Sequence, residues 1–169
     1  ALTDFVVMSE DSSYMFVTGP KVTKTVTGED ITTEDLGGAS VHATKSGVAH
    51  FRIESEDEGL LLIRKLIEYL PQNNLEDPIT TECTDPIDRL EDSLNEIIPA
   101  NPNQPYDVKD VIYRIVDDQQ FLEIHQHFAK NMVVGFAKFN GIPCGIVANQ
   151  PNFLAGVLDI DASRKGARS

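Results

Sequence analysis

Apolar positions recur along the chain at two different periods, and their boundaries divide it into short strands and helices. Residues 4–9 and 13–18 predict two buried strands that turn at Asp11-Ser12. Gly19-Pro20 ends the second strand and opens a helix, since a proline at an early helical position gives up an N–H that has no partner there. The predicted helix covers Val22 to Val26 and closes at Gly28. Thr32-Thr33-Glu34-Asp35 opens another short helical turn, terminated by Gly37-Gly38, and Val48 to Ile53 is a strand. The clearest amphipathic element is a helix from Glu56 to Leu70. Ser55 caps it, Glu58 completes a capping box, and Leu60, Ile63, Leu66, Ile67 and Leu70 form the predicted buried stripe.

Pro71 stops that helix, and the next stretch carries Pro78, Pro86, Pro99, Pro102 and Pro105. Residues 71–105 therefore predict a connection between two halves, with a turn or two of helix near Asp88 to Ile97. The second half restarts at Asp107, which caps a helix through Val116 with Val108, Val111, Ile112, Ile115 and Val116 as its apolar face. Phe121 to Ile124 is a strand. Met132 to Phe139 and Cys144 to Ala148 form a hairpin across Asn140-Gly141, the strongest short-range hairpin signal in the chain. Gly156 to Ile160 is a further strand that leads into a helix capped by Asp161. Both halves are mixed α and β, and no tandem repeat is detectable by residue identity.

The 169 residues are 41% apolar and 24% charged, a globular composition with enough chain to bury a core without metals or disulfides. The net charge of −13 makes a nucleic-acid backbone or an anionic membrane surface a repelled partner. The acid excess concentrates in residues 54–98, whose ordinary meaning is a solvated face, while residues 99–169 balance. No apolar run reaches the roughly 18 residues needed to cross a bilayer, and no basic leader precedes the first strand, so a cytoplasmic location is expected. Cys83 and Cys144 lie far apart without zinc-ligand spacing, and neither a disulfide nor a metal site is expected. The chain starts at Ala1 rather than Met and stops about two turns into its last helix, which predicts a segment of a longer polypeptide.

Few residues suggest side-chain chemistry. His125 and His127 would share one face of an extended segment, but no third ligand lies near them in sequence. His42 and His50 flank Ser46-Gly47 without a nucleophile elbow or a recognisably spaced acid. Cys144 follows Pro143 in an apolar strand, where an inert cysteine is expected. Gly37-Gly38 is open to two readings, a structural helix C-cap or a pair of backbone N–H groups presented to an anion. Neither a P-loop nor a G-x-G-x-x-G fingerprint is present.

Longer strings carry more information. ALTDFVVM, SYMFVTGPKVTKTVTGEDITTEDLGG, SGVAHF and EYLPQNN in the first half resemble the carboxyltransferase (β) subunits of biotin-dependent acyl-CoA carboxylases. YDVKDVIYRIVDD, NMVVGFAKFNGIPCGIVANQP and LAGVLDIDASRKGAR in the second half resemble the opening of that family's second domain. The strings follow the family order over nearly the whole chain, and the member type most resembled is the propionyl-CoA carboxylase β chain.

The resemblance implies an α/β fold of the crotonase superfamily (ClpP/crotonase-like), present as parts of two related domains. Residues 1–71 would close the first domain, 72–105 would be the proline-rich connection, and 106–169 would open the second. It implies transfer of a carboxyl group from carboxybiotin to the α-carbon of propionyl-CoA, giving methylmalonyl-CoA, with two backbone oxyanion holes in place of an ionisable dyad. In the family those holes lie before the ALTDF segment and after the helix at Asp161. No catalytic residue is therefore expected within the chain, and the chain alone is expected to be inactive. Gly19, Pro20, Val22, Gly37 and Gly38 would form a wall near the acyl-CoA site, and Asn149 and Gln150 a turn facing the same cleft from the second domain. Biotin would be carried on a biotin carboxylase/biotin carrier partner, acyl-CoA would be the substrate, and the assembly would be a trimer-based homo-oligomer. Lost neighbours around Phe5 to Met8 and Met132 to Phe139 would favour self-association or partial disorder around residues 72 to 105. Two alternatives remain open: the carboxyltransferase subunit of a methylmalonyl-CoA decarboxylase, and a noncatalytic acidic interaction module.

Overall fold

A computed structural model describes residues 3–101 and 103–168, so expectations placed on Ala1, Leu2, Pro102 and Ser169 lie outside the described residues. The chain forms two compact units, one of residues up to 62 together with 125–128, the other of 63–124 and 129–168.

In the first unit β1 (Val7–Ser9) and β2 (Phe51–Ile53) pair in parallel, with Val7 opposite Phe51 and Ser9 opposite Ile53. A parallel pair needs a long crossover. Three helices lie within it: α1 (Pro20–Thr27), α2 (Thr33–Gly37) and α3 (Ala39–Thr44). The expected caps are in place. Gly19 precedes Pro20, the left-handed Gly28 (φ 77°) returns its N–H to the Lys24 carbonyl, and the Thr32 hydroxyl accepts the Asp35 N–H. Helix α3 is not predicted by the sequence pattern. It starts directly from Gly38, and its buried Ala39 and Ala43 join Val6, Met8 and Ala49 in one core cluster, small residues that let backbones approach closely.

Residues 13–18 are not a strand. Tyr14 makes one isolated antiparallel bridge to Gly38, and Tyr14, Met15, Phe16 and Val17 are exposed. The cause is the turn after β1. Ser13 donates its N–H to the Ser9 carbonyl and Glu10 donates to the Ile53 carbonyl, which caps β1 against β2 and carries the chain away instead of back along β1.

Helix α4 (Glu56–Ile67) opens on the Ser55 hydroxyl, which accepts the Glu58 N–H at 3.2 Å, while the Glu58 carboxylate accepts the Glu54 N–H at 2.8 Å. Its buried face differs from the predicted stripe. Leu66 is buried, but Leu60, Ile63 and Ile67 are exposed, while Gly59 within the helix and Tyr69 just past its end are buried. Residues 60–63, 66 and 67 are all apolar, so periodicity leaves the orientation of the helix undecided. Packing chooses: a Cβ at Gly59 would come within 2.5 Å of the Ile53 methyl in the first unit, and Tyr69 stacks on Phe136 in the second, with ring centroids 5.8 Å apart.

The second unit is built on an antiparallel sheet in the order β3 (Phe121–Ile124), β4 (Met132–Phe139), β5 (Ile142–Asn149). β4 and β5 meet at the expected two-residue turn, with positive φ at Asn140 (50°) and Gly141 (76°). Asp117 fastens that turn, its carboxylate accepting both the Asn140 N–H (2.9 Å) and the Gly141 N–H (2.7 Å). Helix α6 (Val108–Ile115) is capped by Asp107 as expected, and Ile112 and Val116 pack with Phe121, Val133 and Ala137; Ile115 is exposed. The proline-rich stretch contains α5 (Leu94–Ile97) and is bonded to the rest of this unit. Thr81 donates its N–H to the Gly141 carbonyl, Arg89 pairs with Asp85 at 2.8 Å and reaches the Val116 carbonyl, and Arg114 donates to the Ser93 hydroxyl.

Residues 156–160 are not a strand either. A 3-10 turn at Leu154–Gly156 follows β5, and the carbonyls of Gly156 and Val157 accept from the side-chain amides of Asn149 and Asn131, so they enter no ladder. Helix α7 (Ile160–Ala167) begins two residues earlier than predicted. Asp159 is its cap, accepting the Ala162 N–H at 2.8 Å, and Asp161 lies in the first turn paired with Arg164. Lys165 of α7 is 2% exposed. Burial pulls its amine down to about 8, against the attraction of Glu123 and with help from the repulsion of Lys109.

Two stability measurements follow from these groups. Burial pushes the Asp117 carboxyl up, but the Gly141 and Asn140 N–H groups, the Cys83 thiol and Arg89 outweigh it and hold the group below its usual range. Its stabilisation is therefore present above the ordinary carboxyl pKa and lost as pH falls through the lowered one. Asp117→Ala is expected to cost about 1–3 kcal/mol at pH 7 in urea unfolding, with the difference shrinking towards pH 3. For Lys165 the slope has the same sign, but it reports a burial penalty relieved as pH rises rather than a stabilisation lost as pH falls. Between about 8 and 10.5 the unfolded chain binds the extra proton, so stability rises with pH by up to about 1.4 kcal/mol per unit, and Lys165→Met abolishes that slope.

Candidate functional site

Within the first unit the structure brings Gly19, Gly37 and Gly38 together around one extended segment. Met15 donates its N–H to the Gly37 carbonyl at 2.8 Å, and a Cβ at Gly37 would collide with the Met15 carbonyl. The Phe16 ring lies 2.9 Å from the same Cβ position and 3.6 Å from that of Gly19, so it bridges the two glycines. Pro20 and Val22 continue into α1, where Val22 is half exposed. With Met15, Phe16 and Val17 exposed beside them, these residues present an apolar surface.

Gly38 resolves the choice between a C-cap and an anion site at its own N–H. That N–H is donated to the Glu34 carbonyl at 2.8 Å, and a Cβ at Gly38 would collide with the Glu34 carboxylate. The other carboxylate oxygen of Glu34 accepts the Asp11 N–H at 3.0 Å. The Tyr14 phenol beside them is pushed above its usual range, by desolvation first and then by the charges of Glu34 and Asp11. An anion at Gly38 would meet a carboxylate. A cavity of about 230 Å³ in this unit, lined by Glu10, Asp11, Glu34 and Asp35 among others, carries the same sign.

His42 and His50 serve the backbone. His42 Nδ1 lies 2.8 Å from the Ser46 hydroxyl and its Nε2 bonds the Met15 carbonyl, so the ring ties α3 to the segment against Gly37. The Ser46 oxygen also accepts the Val48 N–H at 3.3 Å. Serine and histidine are therefore neighbours, but a main-chain carbonyl stands where a triad has its acid. His50 Nδ1 accepts the Val6 N–H at 3.1 Å, and its ring stacks on His125 with centroids 4.3 Å apart. No spacing in the sequence signals that pairing, which joins residues 75 positions apart. Among the described residues no group of three or more His, Cys, Asp or Glu is placed to hold a metal ion. Cys83 and Cys144 are free, and burial is the main cause raising both thiols. No helix among the described residues is long and apolar enough to cross a membrane.

Within the second unit Asn149 and Gln150 end β5 but face different surroundings. Gln150 is 1% exposed. Its amide oxygen accepts the Val108 N–H at 3.2 Å and its amide nitrogen donates to Asp107 at 2.7 Å, so the side chain completes the N-terminal cap of α6. Its own N–H goes to the Asn131 carbonyl. Asn149 is exposed, and its side-chain nitrogen donates to the Gly156 carbonyl at 2.6 Å. Its amide oxygen bonds none of the described residues, which leaves an acceptor open to a ligand.

Comparison with known proteins is consistent over the whole chain. The carboxyl transferase domain family matches residues 1–169. A propionyl-CoA carboxylase carboxyltransferase subunit of Haloferax mediterranei is 53% identical over 99% of this chain and 33% of its own. The methylmalonyl-CoA decarboxylase subunit alpha of Veillonella parvula is 49% identical over the same shares. The crystal structure of transcarboxylase 12S with hydrolysed methylmalonyl-coenzyme A bound superposes with a TM-score of 0.95 at 44% identity, covering 99% of this chain and 33% of that one. The chain thus spans about a third of the length of these relatives and has the crotonase-like carboxyltransferase fold. It belongs to the carboxyl transferase domain family.

Proposed function

We propose that this chain is part of a carboxyltransferase that moves a carboxyl group from carboxybiotin to the α-carbon of propionyl-CoA, giving methylmalonyl-CoA. The observation that carries this is the 53% identity, over almost the whole chain, to a relative named as the carboxyltransferase subunit of a propionyl-CoA carboxylase. In this reading residues 1–71 close a first carboxyltransferase domain, 106–169 open a second, and 72–105 connect them. Biotin arrives on a biotin carboxylase/biotin carrier partner, and the assembly is a trimer-based homo-oligomer in the cytoplasm. The hexamer assembly named for transcarboxylase 12S supports the oligomer.

Carboxylation at an α-carbon requires an enolate, and its developing charge needs preorganised N–H donors in a site closed to water. Gly38 does not fit that task, nor that of holding the biotin ureido oxygen, because its N–H is engaged by Glu34 and a carboxylate lies over it. The chain's contribution is to bind and orient. The apolar surface of Phe16, Gly19, Pro20 and Val22 beside Gly37 suits the thioester arm of acyl-CoA, and Asn149 offers a hydrogen-bond acceptor. Gln150 acts through the start of α6.

The Veillonella relative favours one second reading, the carboxyltransferase subunit of a methylmalonyl-CoA decarboxylase. Full-length carboxyltransferase assembled with its biotin-carrying partner distinguishes the two. Methylmalonyl-CoA made from propionyl-CoA only with bicarbonate and ATP supports the carboxylase, whereas ATP-independent decarboxylation of methylmalonyl-CoA supports the second reading. Carboxyl transfer by the 169-residue chain alone, measured from free carboxybiotin, is expected to be absent. Asn149→Ala in the full-length enzyme is expected to raise KM for propionyl-CoA about fivefold, for one lost hydrogen bond of about 1 kcal/mol. Gln150→Ala is expected to lower unfolding free energy by about 1–3 kcal/mol, since it leaves Asp107 and the Val108 N–H without their buried partner.

A further inference from the structure

Lys165 is a buried lysine in a strongly acidic chain, and burying an ammonium group is unfavourable unless its neighbours make use of it. Its Nζ lies 3.5 Å from the Ala129 carbonyl oxygen. That carbonyl also accepts the Met132 N–H at 3.0 Å, which closes a turn in which Ala129 has φ of 42°, a region a non-glycine residue occupies only when its surroundings hold it there. Asn131 completes the turn and is 3% exposed. Its carbonyl accepts the Gln150 N–H at 2.9 Å, and its side chain donates to the Val157 carbonyl at 2.7 Å. Asn149 precedes Gln150 and reaches the Gly156 carbonyl, the one before Val157. A continuous set of hydrogen bonds therefore runs from α7 through the Ala129–Asn131 turn to the end of β5.

We propose that Lys165 is a positioning residue: by holding the Ala129 carbonyl it fixes the Ala129–Asn131 turn, and through the Asn131–Gln150 bond it sets the backbone from which Asn149 faces its ligand. The inference rests on the reading of Asn149 as an acyl-CoA contact. Glu123 on β3 attracts the same amine, while Lys109 on α6 repels it. Lys109 lies 3.3 Å from the Glu123 carboxylate, and Lys165 is attracted by that carboxylate and repelled by Lys109, so two amines share one acid. A neutral amine keeps two N–H donors, so the bond to Ala129 survives loss of the proton. A methionine of similar length does not make it.

The test uses full-length carboxyltransferase with Lys165→Met, Lys165→Arg and Asn149→Ala, read by amide hydrogen exchange and by steady-state kinetics with propionyl-CoA. Lys165→Met is expected to speed exchange at the Met132 and Gln150 amides at least tenfold and to raise KM at least fivefold while kcat stays within twofold. Lys165→Arg, which keeps the charge and the donors, is expected to restore part of both. Unchanged exchange at those two amides overturns the inference, as does an unchanged KM in Lys165→Met when Asn149→Ala raises it. If neither variant alters KM, the Asn149 reading fails and the positioning role falls with it. If Lys165→Met does not fold, Lys165→Gln is put through the same comparison and the same outcomes decide.

Discussion

Short elements leave many backbone groups without a neighbouring strand, and side chains must satisfy them. That requirement organises both units. The parallel pair of the first unit is only three residues long on each strand, so the Val6 N–H goes to His50, the Ser9 N–H to the Ser13 hydroxyl and the Asp11 N–H to Glu34. The second unit has longer strands, yet its ends depend on Asp117 at the hairpin turn, Gln150 at the start of α6 and Asn131 beyond β5. Each bond is modest by itself, on the order of 1 kcal/mol, but a buried group left unpaired costs more than a made bond contributes. Polar residues with such duties are fixed by the fold before any ligand is considered.

The same constraint sorts the residues that family resemblance brings to the site. Gln150 and Gly38 are committed within the chain, one to the cap of α6 and one to the end of α2. Asn149 keeps an open acceptor at an exposed position, and Gly19, Pro20 and Val22 keep an open apolar surface. In the proposed reading such residues serve binding rather than bond making. The Gly38 N–H, already bonded to the Glu34 carbonyl, is not a donor free for the enolate chemistry proposed for the whole enzyme.

Legibility followed the range of the forces involved. The Asn140-Gly141 hairpin, the Asp107 and Thr32 caps and the Gly28 stop were legible because each depends on two to four adjacent residues. Residues 13–18 and 156–160 have strand-like composition but are not strands, since a strand also needs a neighbour with free hydrogen-bonding groups. Around 13–18 the turn after β1 removes that neighbour, and around 156–160 asparagine side chains take the carbonyls. Helix α3 escaped notice because its buried face is alanine, which gives no apolar period.

By itself the sequence determined the mixed α/β class, the positions of caps and turns, and, through long ordered strings, the family. Tertiary structure alone decided which face of α4 is buried, the stacking of His50 on His125, the fastening of residues 72–105 onto the second unit, and the inward commitment of Gln150 and Lys165. The physical reason is one of distance along the chain. Caps and turns are set by neighbours in sequence, whereas burial and hydrogen-bond partners are set by residues tens of positions away.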